Sequence, residues 1–136
     1  MSAFTEEQLD NWFTYHPPTT EQVLLYTRIG AAETECLQRV QQVVGFAAKM
    51  GQTLLEQEQF EYVNAGFRSF ADFINEVCPP CADTTVALRA LRLARNFCNE
   101  FLRAGPSASR LDVTGMGIHL RAARFQANSA IACGGK

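Results

Sequence analysis

Cys78-Pro-Pro-Cys81 has the spacing of a thiol–disulfide centre or of half a zinc site. A redox CxxC opens a helix after a strand in a βαβ setting, and no strand pattern precedes this one. Zinc needs a second ligand pair, and His16, His119, Cys36, Cys98 and Cys133 show no paired spacing. The other reading is a turn, in which Pro79 and Pro80 end one helix before Asp83 caps the next. The cysteine count is five, an odd number, and Met1-Ser-Ala-Phe-Thr-Glu-Glu7 lacks a basic, apolar secretion signal. A reduced cytosolic chain is expected, not a disulfide scaffold.

Arginine supplies the second candidate chemistry. Residues 1–80 hold four cations against eleven carboxylates, a balance of −7. Residues 81–136 hold eight cations against Asp83, Glu100 and Asp112, a balance of +5. Ten of the twelve cations are Arg, whose planar fork suits phosphate and carboxylate. The two halves either pack together and solvate different faces, or present an Arg-lined surface to a small anion. The overall charge of −2 argues against long nucleic acid, where phosphate contacts dominate affinity. DNA is therefore not an expected partner.

Within 83–103, Arg89, Arg92, Asn96, Asn99 and Arg103 fall on one side of a helix. The side is either a solvated face or a strip able to hold phosphates and base edges. Thr114-Gly-Met-Gly117 before a helix would turn backbone N–H groups toward a phosphate, and Arg110, Arg121 and Arg124 lie nearby in sequence. A lone GxG is weak as a signal. His16 beside Pro17 reads as a turn residue, and no histidine forms a defensible pair with a nucleophile. No enzyme, metal or cofactor is expected.

The elements that must position these groups are helices. At 136 residues and 47% hydrophobic content, the chain is long enough for one domain with a sizeable core. No apolar run reaches the ~18–20 residues that span a bilayer. Thr5-Glu-Glu-Gln8 is a capping box for a short helix bearing Leu9, Trp12 and Phe13, stopped by Pro17-Pro18. Thr19-Thr-Glu-Gln22 is a second box. It opens a 3.6-period stripe of Val23, Tyr26, Ile29, Cys36, Val40, Val43, Ala47 and Met50. Gly45, Gly51 and Gly66 are expected breaks. Asp83 is the expected cap of a helix to Arg103. On it Val86, Ala90, Leu91, Leu93, Ala94, Phe97, Cys98 and Phe101 take one wide face. Ser107–Gly117 reads as loop with a weak strand signal at Leu111–Val113, and Ile118–Cys133 as a last helix. The fold class is all-α: a long helical hairpin with a short N-terminal and a C-terminal helix.

A single helix from Glu21 to Asn64 would be roughly 66 Å long at ~1.5 Å per residue. A compact domain of this size has a radius of gyration near ~14 Å. Either the segment breaks at Gly45–Gly51, or a long hairpin forms whose flanks need a partner. Ten Phe exceed what one thin hairpin can hide, so self-association is expected.

Phe13-Thr-Tyr-His-Pro-Pro18, followed by Gln22, Tyr26 and Ile29, resembles the phage anti-CBASS cyclic-oligonucleotide sponges. The anti-Thoeris cyclic ADP-ribose sponges are structural relatives of that family. The resemblance resumes at Phe70-Ala-Asp-Phe-Ile74, Pro79-Pro80, Asp83, Ala87-Leu88, Leu91, Ala94 and Asn99, and covers about half of the chain in two blocks. It implies a small helical homo-oligomer, typically a hexamer. Such proteins hold cyclic di- or trinucleotides without cleaving them and silence a bacterial effector in the cytoplasm of the infected host.

Residue by residue, the family's base-stacking tyrosine matches Tyr15, within a string that also offers Phe13 and His16. The family's helix lysine has no counterpart here, and Arg28 is the nearest cation. Arg89, Arg92, Asn99, Arg110, Arg121 and Arg124 complete the candidate ligand set. Two departures distinguish the sequence: 33–66 reads as an insertion and 105–136 as a C-terminal extension of one domain, 1–136. The ending Leu120…Ala123…Ala127-Asn-Ser-Ala-Ile-Ala132 resembles the family's own better than Leu91…Asn99 does, so either helix is the equivalent one or the segment is duplicated. Two rivals stand beside this reading: a helical module that binds a host protein, and a thiol oxidoreductase at Cys78 and Cys81.

Overall fold

The computed structural model describes residues 3–103 and 114–133. Among them are five α-helices and no strand: α1 Glu6–Phe13, α2 Thr20–Lys49, α3 Gln57–Val77, α4 Ala82–Arg103 and α5 Thr114–Cys133. The chain is all-α. Helix α2 packs on α3 and α5, α3 on α4, and α4 on α5, which closes α2–α5 into a four-helix bundle. The Gln22 amide donates to the Ile131 carbonyl (3.4 Å), placing the start of α2 beside the end of α5.

Both N-terminal capping boxes form. Thr5 and Thr19 accept from the N–H groups of Gln8 and Gln22 (3.1 Å each), and both glutamine side chains accept from the cap N–H in return (2.9 Å each). Helix α2 runs through Gly45 and stops at Gly51, which has a left-handed backbone (φ 69°). The Gly51 N–H donates to the Ala48 carbonyl and the Gln52 N–H to that of Ala47, the paired bonds of a Schellman ending. The expected break therefore falls at Gly51 alone.

Gly66 does not break α3; it is buried mid-helix. The Arg39 side chain crosses there, with Cδ 2.6 Å from where a Cβ would stand. The glycine admits a neighbour instead of ending a helix. Helix α4 likewise starts earlier than expected. Its first i→i+4 bond runs from the Thr85 N–H to the Cys81 carbonyl (3.1 Å), so Cys81 holds the cap position and Asp83 lies in the first turn. Helix α5 begins at Thr114, so Thr114–Gly117 is helix and not loop. The signal at Leu111–Val113 and Arg110 fall outside the described residues.

Ile29, Val40, Val63, Phe70, Ile74, Leu102 and Leu120 fill the centre of the bundle. Alanines 87, 90 and 94 on α4 and 123, 127 and 130 on α5 are buried, and this is the most closely packed helix pair. Small side chains let two backbones approach. The α2 stripe buries Ile29, Cys36, Val40, Val43 and Ala47, while Val23 and Met50 stay exposed. Burial pushes the Cys36 and Cys98 thiols up to about 12, so both act as small apolar groups.

Candidate ligand-binding surface

The N-terminal arm, residues 3–19, is held in shape by its own polar bonds. The Thr14 hydroxyl donates to the Asp10 carbonyl at the end of α1. His16 Nε2 donates to the Asn11 carbonyl (2.9 Å), which fixes the turn that leaves the helix. Pro17 and Pro18 then lock φ up to the Thr19 cap. No residue of α1 is buried, and Phe13 and Tyr15 are 83% and 80% exposed. Phe4 and Trp12 stack edge-to-face (4.9 Å) within the arm. The result is a small preformed platform carrying two open aromatic rings.

The remaining candidates sit on separate seams of the bundle. Arg28 lies over the Phe73 ring (4.6 Å), between α2 and α3. Asn99 is paired with Asn64 across α3 and α4: Nδ2 of Asn64 donates to Oδ1 of Asn99 (3.0 Å), with the reciprocal bond at 3.4 Å. Arg124 pairs with the Glu33 carboxylate (3.2 Å) between α2 and α5 and lies over Phe125 (5.0 Å). Arg89, Arg92 and Arg121 are exposed. The Arg121 guanidinium approaches Gly117, with Nη1 3.5 Å from where a Cβ would stand. Within one chain, then, Arg28, Asn99 and Arg124 do not share one pocket.

No protein-family model, curated protein or solved structure matches this chain. Its chemistry rests on its own residues.

Cys78 and Cys81 form the turn between α3 and α4. The Cys78 N–H caps α3 on the Ile74 carbonyl (2.9 Å), and its thiol donates to the Ala127 carbonyl (3.6 Å). Burial, then the neighbouring Cys81, pushes the Cys78 thiol up to about 11. The Cys81 thiol lies 3.5 Å from the Thr84 hydroxyl. Hydrogen bonds from Thr84, side chain first and backbone second, hold it below its ordinary value. The one Thr84 hydroxyl proton goes to the Pro79 carbonyl (2.6 Å), tying the turn shut beside the neutral thiol, and must turn to Cys81 Sγ when the thiolate forms. Among the described residues, no group of three or more His, Cys, Asp or Glu is placed to hold a metal ion.

Three features were not foreseen from the sequence. Glu33 occupies a core slot in the α2 stripe, buried beside Arg124. A shallow depression of about 280 Å³ between α2 and α3 is lined by Gln42, Val43, Phe46, Glu58, Gln59 and Tyr62, none of them a candidate above. The wide apolar face expected on α4 is only partly covered: Val86, Leu93 and Phe97 are exposed. Ile118 and Phe125, two turns apart on α5, are exposed too. Phe97 stacks on His119 (5.2 Å), which joins the α4 stripe to α5. No described helix is long and apolar enough to cross a membrane.

Proposed function

We propose that this chain is a non-catalytic homo-oligomeric sponge that sequesters cyclic nucleotide messengers. In this reading it is phage-encoded, acts in the cytoplasm of the infected bacterium and assembles as a hexamer. The observation that carries the reading is Tyr15, held open on a capped, proline-locked arm inside the Phe13-Thr-Tyr-His-Pro-Pro18 string. A rigid aromatic face is a stacking platform for any base, and holding it in place before binding reduces the ordering cost. Exposed Arg89, Arg92 and Arg121 supply forks for phosphates. Because Arg28, Asn99 and Arg124 sit on separate seams, the complete pocket draws on more than one copy.

Calorimetric titration with cyclic di- and trinucleotides and cyclic ADP-ribose isomers tests this. Heat is expected for at least one ligand, which is recovered intact after prolonged incubation. Tyr15→Ala is expected to weaken binding by about 5- to 150-fold at ~1–3 kcal/mol per stacked base, with the oligomer kept. Silence across the panel rejects the reading, and loss of ligand over time means an enzyme. The exposed apolar face of α4 and α5 favours a second reading, a helical module that binds a host protein. A defined host protein captured with or without nucleotides would move the balance to it. The thiol rival requires insulin reduction that Cys78→Ser abolishes.

A further inference from the structure

The arm and the outer face of α4–α5 both carry uncovered apolar side chains, and they are complementary. On α1, Leu9, Trp12 and Phe13 share one face, with Glu6 and Asp10 along one edge of it and Glu7 on the far side. Residues 3–19 contain no Lys or Arg. On the acceptor side, Val86, Leu93 and Phe97 form a stripe on α4, and Ile118 and Phe125 form a second on α5. His119, Ala122 and Gln126 occupy successive turns on the side of α5 that His119 turns toward α4, so a half-buried alanine lies between the two stripes. By helical spacing Glu100 and Arg89 lie next to the α4 stripe, with Arg103 and Arg92 further round on the same side, and Arg121 stands beside the α5 stripe. An acidic amphipathic helix and an apolar groove rimmed by arginine fit each other in polarity and in charge.

We infer that α1 of one copy docks into the α4–α5 groove of a second copy. The occupant is another copy because every copy carries both the acidic arm and the arginine-bordered face, which complement each other in charge. Capping boxes at Thr5 and Thr19 fix both helix starts, the His16–Asn11 bond fixes the turn, and Pro17-Pro18 stiffens the link. The inference rests on the self-assembly proposed above and not on any ligand. It deepens that reading, because a docked arm carries Tyr15 to the neighbour's Arg89 and Arg92.

Trp12 is the only tryptophan, so its fluorescence reports on the arm alone. Full-length protein is expected to sediment above the 15.1 kDa monomer, with Trp12 emission moving to shorter wavelength as concentration rises. Leu93→Glu, at an exposed position, is expected to abolish both effects while helical content is retained. A charge swap isolates the contact. The arm variant E6K/E7K/D10K and the face variant R89E/R92E/R103E should each weaken assembly at least about tenfold, or ~1.4 kcal/mol, and mixing the two should restore it. A monomer at every concentration overturns self-assembly and this contact together. An oligomer indifferent to Leu93→Glu and to both charge variants overturns the contact and leaves self-assembly standing. A buried Trp12 whose emission ignores concentration means that the arm folds onto its own chain, and also overturns it. Absence of nucleotide binding rejects the sponge and leaves the contact intact.

Discussion

Glu33 on α2 and Arg124 on α5 meet at 3.2 Å across the seam of the bundle, with side chains 9% and 32% exposed. The carboxylate stands in a stripe otherwise made of Ile29, Cys36, Val40 and Val43, and Arg124 is the cation beside it. Arg124→Met strands a buried charge and is expected to cost about 3 kcal/mol, lowering Tm by roughly 10 °C. Adding Glu33→Gln removes that charge and should recover most of the loss. Thermal unfolding of the two singles and the double measures the coupling, and additive losses would show that the pair does not act as one.

Glycine at 66 should show a dependence on Arg39. The Arg39 guanidinium donates to the Tyr62 carbonyl (2.8 Å) and lies over the Tyr62 ring (4.5 Å), so its stem is pinned where an alanine Cβ would go. Gly66→Ala alone gains ~1 kcal/mol of helix propensity and loses a comparable amount in the stack and hydrogen bond. The expected net change is near zero or mildly unfavourable. In an Arg39→Ala background the same substitution should stabilise by about 1 kcal/mol. Urea midpoints of the four proteins check this, and an equal effect in both backgrounds would refute the close approach.

Alkali should destabilise the fold through its buried thiols. Cys36 and Cys98 have folded values pushed up to about 12 from 9.0. Above the unfolded value, the unfolded chain releases protons that the folded one keeps, so stability falls as pH rises. The loss begins near pH 9 and continues to about pH 12. Cys36→Ala/Cys98→Ala has a lower starting stability and a flatter decline over that window, and equilibrium unfolding against pH reads both.

Thiol labelling separates Cys81 from the other described cysteines. Its lowered value and its place at the start of α4 favour the thiolate, while Cys36, Cys78 and Cys98 are buried. Mass spectrometry during iodoacetamide treatment near pH 7.5 should show Cys81 modified first among the four. Thr84→Val removes the hydroxyl that can turn from the Pro79 carbonyl to the Cys81 thiolate, so the pH midpoint of labelling should rise. An unchanged midpoint would discount that hydrogen bond.

Local chemistry was readable where it is local. Both capping boxes and the glycine end of α2 are sequence signals whose partners lie within four residues. The Pro79-Pro80 turn and the helix through Cys133 were equally legible. Glu33 was not, because its partner Arg124 lies on the last helix and periodicity does not reveal which carboxylate is tolerated in a stripe. The exposure of Leu93 and Phe97 on the apolar face of α4 is hidden from the sequence for a related reason. An apolar stripe shows what avoids water and not how much of it the neighbouring helices cover. Tyr15 was legible as a motif residue, and its exposure follows from the locked arm. The engagement of Arg28, Asn99 and Arg124 elsewhere in the bundle was not legible, because their partners Phe73, Asn64 and Glu33 lie on other helices.

The arm and the α4–α5 groove are different surfaces of one chain, which gives any contact between them a polarity. In a closed assembly, whether two copies trade arms reciprocally or several form a ring, docked arms and copies are equal in number. An open chain of copies would end in one bare arm and one bare groove, leaving Trp12 and Phe97 in water at opposite ends. Closure is then favoured by the burial of those two ends alone. A substitution that alters the angle of the Pro17-Pro18 link would turn the same contact from a ring former into a fibre former.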